Sequence, residues 1–247
     1  ISIFFLISLI CKYSLDILAL KHISILKIKN NYSLIKGFLH KSVKIMFLFF
    51  SVILFMVFIT FSFLHESFNN EFLHSLIIFI LLVPFVNLIL LMASFLRCYK
   101  YILHSQFVDQ ILRPTFIILF TFTFSTLFMK MNLKIASVIF FLSGFFSFCL
   151  MSIIFFKKIY KHLIRFEIVE FKKITNKASP IFFSILFFLL ITQTDILMLG
   201  YFDGPKAVGI YSPASKLSSI IYFIASIFSV IISPKISQAY DNKNIKS

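Results

Sequence analysis

Charged side chains embedded in apolar runs are the residues with which this sequence could do chemistry. Asp195 lies inside Pro180–Tyr201, a run that meets the roughly 20 residues needed to cross a bilayer. A carboxylate near the centre of such a helix costs on the order of 3 kcal/mol to insert, so it is expected to face protein or a wet cavity. Lys216 poses the same problem in the following helix, about 15 Å beyond Lys206 at 1.5 Å per residue. Asp195, roughly 9 Å from Tyr201 by the same rise, falls at a comparable depth and is a candidate partner for Lys216 or a coupling site. Around Lys216 runs a stripe of Ser212, Ser215, Ser219, Tyr222, Ser226, Ser229 and Ser233, spaced three and four residues apart. A stripe of this kind suits either close helix packing or the wall of a wet path. Nearer the start, Lys12 and Asp16 share one helix face and are expected to pair. Arg97, Lys100 and Arg113 flank a polar stretch where guanidinium groups could hold phosphate oxygens.

The elements that must position these groups are apolar helices. The expected crossings are Ile1–Leu20, Ser42–Leu64, Leu73–Leu96, Pro114–Phe128, Leu133–Phe156, Pro180–Tyr201 and a last one carrying Lys216, about seven in all. Pro84 interrupts the third, and Asn87 is placed to satisfy the carbonyl that the proline frees. Gly144 and Ser147 give the fifth a small patch for close packing. Lys21–Lys44, Arg97–Pro114 and Lys157–Lys177 are basic and belong on the inner side, whereas the stretch with Glu66 and Glu71 and the short turn Met129–Lys134 belong outside.

Composition agrees. A chain of 247 residues that is 60% hydrophobic, with 37 Phe and a mean hydropathy of +1.00, is not an ordinary soluble domain. Long apolar runs without strict alternation favour an all-α transmembrane bundle over a barrel. The net charge of +15 follows the inner loops and does not point to nucleic acid. Cys11, Cys98 and Cys149 are scattered and imply neither disulfides nor a metal. G-x-S-x-G, H-E-x-x-H and phosphate-cradling glycine loops are absent, so no enzyme chemistry and no cofactor are expected.

The residues around Asp195 also carry a family resemblance. TDILMLGYFDGPKAVGIYSPASKL, followed by an apolar run and SPKISQAY, resembles the middle of the polysaccharide-export flippases through Asp195, Gly200, Gly209–Tyr211, Lys216–Leu217 and Pro234. YSLDILALKHISILKIKNN resembles the end of that family's second helix, where Gly-Leu-Asp precedes a basic residue. Asp16 and Lys21 fit, and Ser14 stands where the glycine would be. The Leu-Arg start and Ile-Leu-Arg-Pro end of Arg97–Pro114 are similar to the matching inner loop.

This resemblance implies a transporter of two bundles in an inverted V, moving lipid-linked oligosaccharide across a bacterial inner membrane. Residues 1–156 would be the first bundle without its first helix, 157–177 an amphipathic inner linker, and 178–247 the start of the second bundle. The chain would then be a fragment covering about half of a member. A polyprenyl-pyrophosphate glycan is the implied substrate, with glycan polymerase or assembly proteins and membrane lipids as partners. Lys216, Asp195, Asp16, Lys12, Lys21, Arg97 and Arg113 are the candidate contacts. The alternatives are a multidrug cation antiporter of the same superfamily, a membrane-embedded glycan polymerase or ligase, and a gene remnant. The mixed signs of the embedded charges favour an anionic substrate over a cationic one.

Overall fold

The computed structural model describes residues 2–28, 32–64, 70–127, 132–160, 171–218 and 221. The described residues are helical almost throughout: α1 (Ser2–Lys12), α2 (Leu15–Ile28), α3 (Tyr32–Leu64), α4 (Asn70–Cys98), α5 (Ile102–Gln106), a π-helical turn (Phe107–Leu112), α6 (Arg113–Leu127), α7 (Leu133–Lys158), α8 (Phe171–Phe202) and α9 (204–218). Five stretches among them are long and apolar enough to cross a membrane: Ser33–Ile59, Ser75–Cys98, Ile102–Thr126, Leu133–Lys158 and Ile174–Phe202. The expected first crossing is divided between α1 and α2. The expected last one leaves the described residues after its opening turns, as do Ser219, Tyr222, Ser226, Ser229, Ser233 and Pro234. Glu66, Glu167, Glu170 and the turn at residues 128–131 also lie outside the described residues.

Several helices begin earlier than the polar boundaries suggest. α3 starts at Tyr32 and runs 33 residues, because its first turns are amphipathic: Ile35, Phe38, Leu39, Ser42, Ile45 and Met46 are buried along one face, while Lys44 is exposed. Further on it presents Phe55, Met56 and Phe58 outward, as expected of a lipid-facing surface.

The basic stretch after α4 is not an extended loop either. Tyr101 N–H bonds the Leu96 carbonyl at 2.9 Å, Lys100 N–H bonds that of Arg97 at 3.0 Å, and Lys100 has φ +67°. This is a Schellman cap with lysine at the left-handed position that glycine usually fills. The helix resumes at once, and it widens to π geometry just before Pro114, with the Arg113 N–H reaching back to the Val108 carbonyl. A proline ring would crowd the carbonyl four residues earlier, and the wider turn relieves that clash.

The chain divides into two compact units, Ile1–Leu189 and Leu190–Ser247, a boundary that falls within α8. In the first unit α4 is the central helix, packed against α7, α1, α2 and α3. Phe85 meets Phe141, Phe145 and Phe148 of α7 edge-on at 5.9, 5.6 and 5.3 Å, and Phe95 meets Phe38 of α3 and Phe155 of α7 at 6.3 and 6.0 Å. Gly144 lets α7 approach so closely that a Cβ there would overlap the Leu82 side chain. Its neighbours Ser143 and Ser147 are buried and bond carbonyls of their own helix, at Phe140 and Ser143. The α4–α7 seam therefore joins aromatic edge contacts to a close approach at the small residues Ser143, Gly144 and Ser147.

Candidate functional site

The first apolar segment breaks where its charges sit. Tyr13 and Ser14 have φ of +46° and +54°, a region that costs an L-residue about 1–2 kcal/mol. α1 closes with Tyr13 N–H on the Leu9 carbonyl at 3.0 Å, and α2 reopens with Leu18 N–H on the Ser14 carbonyl at 3.0 Å. Lys12 thus ends one helix and Asp16 begins the next. Each charge meets the complementary end of its own helix dipole.

The two side chains close across the break, Lys12 Nζ donating to Asp16 Oδ2 at 2.8 Å, with 16% and 13% of their surfaces exposed. The expected pair is present, but it bridges two helices and does not ride on one. Asp16 Oδ1 and Ser14 Oγ are buried without a hydrogen-bond partner among the described residues. Tyr13 is held between Phe49 of α3 and Phe182 of α8, at 5.2 and 4.7 Å and nearly parallel to both. Such stacks contribute about 0.5–1.5 kcal/mol each, enough to offset much of the backbone strain.

Ser14 occupies the place of the resemblance's glycine, and its φ explains why glycine suits it. Replacing Ser14 by Gly is expected to stabilise the folded chain by about 1 kcal/mol, by relieving left-handed strain and removing an unpartnered hydroxyl. Denaturant unfolding in lipid-detergent micelles reads the change, and a lower midpoint for the variant would contradict it.

A second buried contact fixes α1 against α4. Ser8 Oγ donates to Asn87 Oδ1 at 2.6 Å, and Asn87 Nδ2 donates to the Ser8 carbonyl at 3.1 Å. Asn87 therefore bonds a neighbouring helix and not the carbonyl freed by Pro84, through which α4 runs as one helix. An apolar cleft beside it, lined by Cys11, Met46, Phe47, Phe50, Pro84 and Leu88, has a volume of about 10 Å³, room for about one water. Asn87→Leu is expected to cost about 1–2 kcal/mol in the same unfolding measurement, since both bonds are lost and Ser8 is left buried. An unchanged midpoint would show that the clamp contributes nothing.

The remaining candidates are distributed. Lys21 is exposed on α2. Arg97 ends α4, half-buried, with Nε inaccessible and without a hydrogen bond. Arg113 is half-buried at the start of α6, one turn after Asp109 on the π-helical segment.

In the second unit α8 and α9 form a hairpin. Asp203 N–H caps on the Leu199 carbonyl at 2.9 Å, Gly204 takes φ +82°, and Pro205 opens α9. Only glycine adopts that backbone without strain, and proline at a first helical turn forfeits no needed N–H. A Cβ on Gly200 would stand 3.4 Å from Val208, so the two arms lie close together. Tyr211 OH donates to Asp195 Oδ2 at 3.4 Å. Asp195 and Lys216 are both exposed within this unit, and Tyr211 is a partner of Asp195 that the sequence reading overlooked. The hairpin itself signals it, because Asp195 and Tyr211 stand at equal separations from Asp203.

Helix lengths, long apolar spans and outward-facing phenylalanines define a polytopic α-helical membrane protein. A family model described as polysaccharide biosynthesis protein matches residues 1–240, and the chain belongs to that family. Its role lies in polysaccharide synthesis or export. Neither curated proteins nor solved structures give a significant match.

Proposed function

We propose that the chain acts in moving a lipid-linked oligosaccharide across the bacterial inner membrane. The observation that carries this reading is the lysine–carboxylate pair held at an interrupted helix, in a member of a polysaccharide biosynthesis family. Broken helices are a recurrent means by which transporters place ion and substrate groups inside a membrane. In this reading the protein is a transporter, not an enzyme, and works by alternating access. Lys12, Lys21, Arg97, Arg113 and Lys216 offer cationic groups along the chain to a polyprenyl pyrophosphate, whose tail stays in the bilayer. Asp16 and Asp195 hold cations of the path in place between substrate passages, Asp195 with help from Tyr211. Glycan polymerase or assembly proteins are the partners that would consume the translocated unit.

The test is export in cells that lack their own flippase and carry the full-length gene. Lys216→Ala is expected to reduce surface glycan at least tenfold with membrane insertion intact, the effect of removing a charge-assisted contact worth about 1.5–3 kcal/mol. Lys216→Arg is expected to retain a substantial part. Normal export by the alanine variant sinks the assignment of Lys216.

A further inference from the structure

One end of the first unit carries an ordered arc of lysines and tyrosines that the proposed transport path does not use. α2, α4 and α7 finish at this end and α3 and α5 begin there. Lys27 Nζ lies 4.5 Å from the Tyr99 ring centre, Lys158 Nζ 5.0 Å from that of Tyr101, and Lys36 Nζ 5.2 Å from that of Tyr160. All three fall within the roughly 6 Å over which a ring face attracts an ammonium. Tyr99 and Tyr101 flank the left-handed Lys100, and Lys158 and Tyr160 flank the buried Ile159. The contacts therefore join into one run: Lys27, Tyr99, Lys100, Tyr101, Lys158, Tyr160, Lys36.

Each ammonium rests on a ring, and among the described residues the hydrogen bond these three ammoniums make is that of Lys27 to the Cys98 carbonyl at 3.3 Å. The segments that build the arc contain no Asp or Glu: none occurs between Ile17 and His65, from Phe72 to Val108, or from Gln110 to Phe166. Immediately beside the tyrosines, Ile102, Leu103, Phe107 and Phe156 are exposed apolar side chains. Cationic groups at one level with bare hydrocarbon next to them match a lipid that has an anionic head and acyl tails.

We propose that this arc is a binding site for the phosphate headgroups of anionic phospholipids in the leaflet it faces. The rings set the spacing of the charges, and the exposed side chains of α5 and α7 receive the tails. The site is independent of the transported substrate, so its test reads lipid occupancy and not export.

The full chain, purified in mild detergent and mixed with equal amounts of phosphatidylglycerol and phosphatidylcholine, is expected to retain phosphatidylglycerol several-fold more in native mass spectrometry. Replacing Lys27, Lys36 and Lys158 by Gln is expected to bring retention of phosphatidylglycerol down to that of phosphatidylcholine, since each basic residue at an anionic surface contributes about fivefold. Replacing Tyr99, Tyr101 and Tyr160 by Leu keeps every charge and is expected to reduce it about threefold through loss of the ring contacts. Equal retention of the two lipids by the unaltered chain overturns the proposal, whatever the variants do. So does full retention by the lysine variant, or displacement of phosphatidylglycerol by millimolar inorganic phosphate. Tyrosine variants with undiminished selectivity would overturn the ordered arc.

Discussion

Replacing Lys12 by Met is expected to destabilise the folded protein by about 2–4 kcal/mol, the largest effect of any single charge change in the first unit. The substitution keeps the apolar stem and removes only the ammonium, so Asp16 is left largely buried with neither oxygen paired. The loss also falls on the ion pair that spans the break, where two left-handed residues already strain the chain. Asp16→Asn is milder, at about 1–2 kcal/mol, because a neutral amide still accepts from Lys12. The double variant Lys12→Met, Asp16→Leu should recover much of the loss, since a buried pair replaced by apolar groups leaves no orphan charge. Unfolding midpoints for the four proteins form a double-mutant cycle. Strictly additive effects would show that the 2.8 Å contact carries no coupling.

Gly144→Leu is expected to have a comparable or larger effect, about 3 kcal/mol or more, and to hold α4 and α7 apart. Even a Cβ at this position overlaps Leu82, which is itself 1% exposed. Membrane helices gain little from hydrophobic burial against one another, so a seam that cannot close forfeits most of its attraction. Cysteine pairs introduced across α4 and α7 report the separation directly. Gly144→Ala serves as the graded control, because a rotation of Leu82 can partly accommodate a methyl group. Cross-linking of the Leu variant at the unaltered rate would rule out this account of the seam.

Some of this architecture was legible in the sequence and some was not, for physical reasons. The Lys12–Asp16 contact was legible from its four-residue spacing, although the pair closes across a break and not along one continuous helix. The small seam at Gly144 and Ser147 is likewise a local signal, and both appear in the structure. The break at Tyr13–Ser14 has no comparable signal, since neither residue type prefers a left-handed backbone; only the glycine expected from the resemblance pointed to it. Asn87 was assigned to the nearest unsatisfied carbonyl and instead found Ser8, because a long-range partner depends on which helices become neighbours. The early starts of α3 and α8 were hidden by lysines, which a helix tolerates wherever they leave the buried face clear. The cation–π arc was hidden for the same reason as Asn87's partner, as its three contacts join helices far apart in the chain.

The Ser8–Asn87 clamp also constrains the order in which the protein can be made. The two residues are separated by 79 positions, about 4–16 s of synthesis at 5–20 residues per second. Throughout that interval the Ser8 side chain lacks the partner it has in the finished unit, so α1, only 11 residues long, has α3 to rest on and not yet α4, the other helix it packs against. The α1–α4 contact is therefore formed after α3 is already made.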